Sequence, residues 1–138
     1  MEQVRNVMTQ NPTSCDPAAT AVEAAKVMAS KDVGSVPLVK GGRLVGVVTD
    51  RDLVVRVLAE GRDPNSTTVG EIASSDLETV SPDDDLDAAL RKMASRKVRR
   101  LPVVEGDQLV GIVAQADVAR QGDDSETGQV VEEISRQS

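Results

Sequence analysis

The chain carries the same pattern twice. Val4–Val55 and Val69–Arg120 align at a constant offset of 65 residues with no gap, and 15 of the 52 aligned positions are identical. The identities include residues that shape a backbone or fill a core: Pro17 with Pro82, Met28 with Met93, Pro37 with Pro102, Gly46 with Gly111, Asp52 with Asp117. Such recurrence marks one supersecondary unit used twice, each half burying what the other leaves open. Halves of about 60 residues make marginal cores alone, so 138 residues are expected to form one pseudo-symmetric body with its function between the halves. The expected divisions are 1–66, 67–122 and a tail, 123–138.

Both halves predict the order β-α-β-β-α. In the first, a short strand over Thr13–Cys15 ends at Asp16–Pro17, and Thr20 with Glu23 forms a capping box for a helix to about Lys31, stopped by Gly34. Ser35–Val39, a Lys40–Gly41–Gly42–Arg43 turn and Leu44–Val48 form a hairpin. A second helix runs from Asp50 to about Glu60 and closes at Gly61. The second half predicts a strand over Leu77–Val80, a helix from Ser81–Pro82 to about Lys97, strands near Arg100–Val104 and Leu109–Val113, and a helix from Gln115 to Gln121. Gly61–Thr67 is the linker, Gly122–Gly128 an acidic loop, and Gln129–Arg136 a last amphipathic helix.

Composition removes whole classes of function. There is no histidine and one cysteine, Cys15, so the usual neutral-pH base, an internal disulfide and a cysteine-cluster metal site are all missing. A net charge of −7 and the absence of Phe, Tyr and Trp argue against nucleic-acid binding by phosphate attraction or base stacking. No apolar stretch approaches the ~20 residues that span a bilayer, and the start lacks a secretory signal, so a cytoplasmic location is expected.

The sharpest local signal is Gly46-Val47-Val48-Thr49-Asp50-Arg51-Asp52. Glycine admits a ligand to the backbone, a hydroxyl and free helical amides can hold phosphate, and the Asp52 carboxylate can accept both hydroxyls of a ribose. The plain alternative is a helix cap, for which Thr and Asp are ordinary choices.

With the doubled β-α-β-β-α order, methionine-bearing first helices, Val36–Pro37 and Leu101–Pro102 at matching strand starts, and GVVTDRD, the chain resembles a tandem cystathionine-beta-synthase (CBS) domain pair, the Bateman module, over nearly all of 4–121. The run DRDLVVRVLAEGRDPNSTTVGEI is similar to small stand-alone CBS proteins of the hypoxic-response type. The resemblance implies an α/β fold of two repeats packed sheet to sheet, a flat homodimer, and regulation without catalysis. It also implies binding of AMP, ADP, ATP or S-adenosylmethionine in the cleft between repeats, with no cofactor required. Carried onto this chain, Asp52 takes the ribose and Thr49 the phosphate, while Thr13, Ser14, Cys15, Val36 and Pro37 line the adenine slot. In the second repeat, GIVAQAD keeps Gly111 and Asp117 but has Ala114 where a hydroxyl is expected, so at most one good site per chain is expected, the one around Asp52, with the Asp117 site weakened or empty. The competing expectation is a ligand-free dimeric scaffold or stress-response protein in which Thr49 and Asp52 are only caps. In either case a protein partner remains to be named.

Arg91, Lys92, Arg96, Lys97, Arg99 and Arg100 place six of sixteen basic residues within ten positions. The first three suit a helix end and its solvation, whereas Arg99 and Arg100 are candidates for a phosphate tail. Ser81–Pro82–Asp83–Asp84–Asp85 reads as a helix start, Cys15 as a buried thiol, and Met28 and Met93 as core.

Overall fold

The structure is a computed structural model and describes residues 2–121. The expected acidic loop and final helix at 122–138 lie outside the described residues. Two compact units form: Thr13–Leu77, and residues 2–12 together with the chain from Glu78 on.

In the first of these, Thr20 caps helix α1 (Ala21–Lys31), its hydroxyl accepting from Glu23 N at 3.1 Å. The helix ends at Asp32, in the left-handed region at φ 54°, and Val33 N closes it on Met28 O at 3.1 Å. Gly34 therefore does not stop the helix. Its missing side chain leaves room for the Asp50 carboxylate, which would lie 3.1 Å from an added Cβ. Strands β2 (Ser35–Lys40) and β3 (Arg43–Thr49) pair antiparallel around Gly41 and Gly42, both at positive φ as a two-residue hairpin turn requires. Helix α2 (Asp50–Leu53) continues as one wide π turn, Val54–Leu58, shown by Ala59 N bonding Val54 O. A short helix, α3 (Val69–Ile72), follows the linker. The expected strand at Thr13–Cys15 is a single parallel bridge, Cys15 to Leu38.

The other unit repeats this plan. Strands β4 (Arg100–Glu105) and β5 (Gln108–Ala114) pair antiparallel, with a register shift at the position equivalent to that in β2. Val80 makes one parallel bridge to Val103 where a strand was expected over Leu77–Val80. Helix α4 (Leu86–Arg96) begins five residues later than the sequence suggested, because Ser81–Asp84 closes as a turn, Asp84 N to Ser81 O at 3.1 Å, with Ser81 N on the Asp84 carboxylate. Its end again carries a left-handed residue, Lys97, at φ 57°. Helix α5 (Gln115–Gln121) follows β5 directly.

The two units do not coincide with the two sequence repeats. Val4 N bonds Asp84 O, Arg5 N bonds Pro82 O and Leu86 N bonds Glu2 O, all within 3.1 Å. Exactly 65 residues on, Val69 N bonds Ala19 O, Gly70 N bonds Pro17 O and Ala21 N bonds Thr67 O. The segment before each repeat thus packs on the helix turn of the other repeat, Val4 in one core and Val69 in the other. The arms continue along the hairpins: β1 (Thr9–Gln10) pairs with β5, and Ser74 makes a single antiparallel bridge to Val47. This explains Gly46, read above as admitting a ligand, and its counterpart Gly111. A Cβ on Gly111 would lie 2.9 Å from Thr9 O, and one on Gly46 3.3 Å from Ser74 O. What approaches the strand at these points is the crossing arm.

Candidate functional site

Seven of the ten candidate residues belong to the Thr13–Leu77 unit. β3 ends at Thr49, where the backbone turns into α2. Thr49 Oγ1 accepts from Asp52 N at 3.0 Å, and Asp52 Oδ2 accepts from Thr49 N at 2.9 Å, a complete reciprocal cap. The capping interpretation is therefore realised, yet it does not exhaust the pair. The hydroxyl keeps its proton to donate, and Asp52 Oδ1 has Arg56 Nε 3.8 Å away, an ion pair too long for a hydrogen bond. The Asp52 side chain is 15% exposed, so this oxygen sits in a partly desolvated position where a charge-assisted hydrogen bond is strong.

The remaining candidates here are backbone providers more than side-chain providers. Cys15 N bonds Pro37 O at 3.0 Å and Val39 N bonds Cys15 O at 2.9 Å. The thiol itself lies in the core, where burial, and secondarily the charge of Glu23, push its pKa up and keep it neutral. Val36, paired with Val48 on the core face, is 1% exposed, so it can line a slot only through its backbone. Strand alternation puts Pro37 on the opposite face, the face of the Ser35–Thr49 pair. Thr13 and Ser14 are exposed.

Arg99, Arg100 and Asp117 belong to the other unit. Arg100 stands opposite Ala114 in the β4–β5 register, the place of Ser35 opposite Thr49. Arg99 O accepts from Gln115 N at 2.8 Å. Ala114 cannot form the reciprocal cap, and Oδ1 of the Asp117 carboxylate pairs with Arg120. Gln115 occupies the position of Asp50, and its side-chain oxygen is buried without a hydrogen-bond partner. Lys92, read above as a solvated helix cation, donates to Thr79 O at 2.7 Å and pairs with Glu78.

Sequence reasoning missed Arg56. Its four-residue spacing from Asp52 signals an ion pair, but its second contact, Nη1 to Ile72 O at 3.2 Å, links residues 16 apart and leaves no local pattern.

A family model for the CBS domain matches residues 4–59 and 69–123. The chain belongs to the CBS-domain family. The CBS pair is 39% identical to the CBS domain-containing protein YhcV of Bacillus subtilis over all of this chain and 99% of that one. It is 38% identical to hypoxic response protein 1 of Mycobacterium tuberculosis over 87% of this chain and 85% of that one. Among solved structures, Hypoxic Response Protein I with two coordinated zinc ions aligns with a TM-score of 0.80 at 37% identity, covering 88% of this chain and all of that one. CBSX2 in complex with AMP aligns at 0.76 and 27%, covering 87% and 95%. The CBS pair of MJ0100 with 5′-methylthioadenosine and S-adenosyl-L-methionine aligns at 0.74 and 28%, covering 87% and 94%. The sequence has no histidine, and among the described residues no three His, Cys, Asp or Glu side chains converge to hold a metal. No helix among the described residues is long and apolar enough to cross a membrane.

Proposed function

We propose that this CBS pair is a cytoplasmic, non-catalytic regulatory sensor that binds an adenosine-containing ligand through the Thr49–Asp52 half-site. The carrying observation is that the reciprocal cap leaves an acceptor oxygen and a hydroxyl proton in a partly buried position, the complement of a ribose hydroxyl and a phosphate oxygen. AMP in CBSX2 and S-adenosyl-L-methionine in MJ0100 support the ligand class. Thr13–Cys15 and the Val36–Pro37 backbone line the base side. Val54, Val55 and Leu58, exposed on the π turn, offer a surface for a homodimer. Nucleic acid is not the partner of a chain with this charge.

Isothermal titration calorimetry with AMP, ADP, ATP and S-adenosylmethionine tests the reading. One ligand per chain is expected, lost in Asp52→Ala and retained in Asp117→Ala. The completeness of the cap without any ligand favours a second reading, a ligand-free dimeric scaffold. A folded protein that gives no heat with any of the four compounds would establish it.

A further inference from the structure

Asp52 and Asp117 are equivalent in the repeat, yet their arginines are held differently. Arg120, three residues beyond Asp117 and with a side chain 72% exposed, closes directly on the Asp117 carboxylate. Arg56, four residues beyond Asp52, stands off at 3.8 Å and donates instead to Ile72 O, the last carbonyl of α3. A helix C-terminus presents carbonyls without intrahelical partners and favours a cation. The guanidinium donates to Ile72 O through Nη1 while its Nε faces Asp52 Oδ1 at ion-pair distance, two directions that a single ammonium does not hold at once.

We infer that Arg56 is a positioning residue: tethered by Ile72 O, it orients the Asp52 carboxylate without occupying Oδ1, and it transmits ligand engagement at Asp52 to the segment Val69–Ser74. This rests on the reading of Asp52 as a ligand acceptor. A hydroxyl donating to Oδ1 spreads the charge of that oxygen, weakens the ion pair at 3.8 Å and leaves the guanidinium more fully to Ile72 O. The segment so affected carries its own reporters, Ala73 N on Val69 O at 2.9 Å and Ser74 N on Val47 O at 3.1 Å. Ser74 is three residues from the end of its compact unit, so the signal arrives where the chain leaves for the other unit.

The test combines AMP titration calorimetry with amide hydrogen exchange, with and without AMP, on the whole chain. The wild type should bind AMP and change exchange at Ala73 and Ser74. Arg56→Ala should bind about tenfold more weakly and lose the exchange response. Arg56→Lys should keep most of the affinity and lose the response. The Arg56 side chain is 53% exposed, so these variants retain the fold, which far-UV circular dichroism verifies. Unchanged affinity and an unchanged response in Arg56→Ala would overturn the inference while leaving the site standing. AMP binding that survives Asp52→Ala, or no AMP binding by the wild type, would overturn the site reading and this inference with it.

Discussion

Replacing Val4 by alanine should loosen the unit that carries the second repeat, although Val4 opens the first. Its side chain is 0% exposed and packs with Val80, Leu86, Ala89, Leu90, Met93, Leu101, Val103, Val113 and Val118. Val→Ala removes the equivalent of two buried methylenes, about 1.6 kcal/mol of transfer free energy, and incomplete collapse of the void brings the cost to about 2–3 kcal/mol. The arm's backbone bonds to Asp84 and Pro82 involve no side chain and survive, so the loss is one of packing alone. For a chain of this size the melting temperature should fall by about 5–10 °C. The chain has no Trp or Tyr, so urea and thermal melts are followed by far-UV circular dichroism. Amide exchange locates the damage: protection should drop at Val80, Leu86 and Val104, bonded to Pro102 O, Glu2 O and Val80 O, ahead of Cys15 and Val39. Val69→Ala should do the reverse, weakening the Cys15 and Val39 amides first. A loss below about 0.5 kcal/mol, within the range of ordinary surface substitutions, or damage from Val4→Ala centred on residues 13–77, would refute the exchange of arms.

Two further outcomes follow from burial. Cys15, its pKa raised chiefly by desolvation, should resist iodoacetamide near neutral pH; its stabilising contribution is fully present below the ordinary thiol value and is lost as pH rises through the folded one, so alkylation and melts against pH should change together on the alkaline side. Leu58, 64% exposed beside the apolar groove lined by Ala25, Ala29, Leu53 and Val57, carries the proposed homodimer: light scattering should give a dimer mass for the wild type and a monomer mass for Leu58→Glu with little change in melting temperature, and a monomeric wild type or a dimeric variant would overturn this interface.

What the sequence reveals is what local chemistry determines. Hairpins at Ser35–Thr49 and Arg100–Ala114 are legible because apolar runs flank a turn, and the Thr49–Asp52 cap because its partners are three residues apart. The arms are not legible. Val4 and Val69 are identical and offset by 65, so each fits either repeat, and only tertiary packing chooses. The same blindness misassigns Gly46 and Gly111, whose neighbours arrive from 28 and 102 residues away, the Ser74 and Thr9 carbonyls. Helix ends fail for another reason. Asp32 and Lys97 take the left-handed conformation that a reader assigns to glycine, because the bonds of Val33 and Val98 back to Met28 and Met93 outweigh a local cost of about 1–2 kcal/mol.

The duplicated half-sites argue for unequal roles through charge. At four equivalent positions one unit has Gly34, Ser35, Thr49 and Asp50, and the other Arg99, Arg100, Ala114 and Gln115. The backbone is held alike, Asp50 N on Gly34 O at 2.9 Å and Gln115 N on Arg99 O at 2.8 Å, so the divergence lies in the side chains. The formal charge of these four goes from −1 to +2, while the hydroxyl that completes the cap is lost. Under the proposed function a ribose needs an acceptor: Oδ1 of Asp117 is paired with Arg120, whereas Oδ1 of Asp52 has Arg56 only at ion-pair distance, with Nη1 of that arginine on Ile72 O. Two equivalent nucleosides per chain would require both sets to offer the same groups, and they do not, so the proposed function at Asp52 predicts one ligand per chain, counted by titration calorimetry.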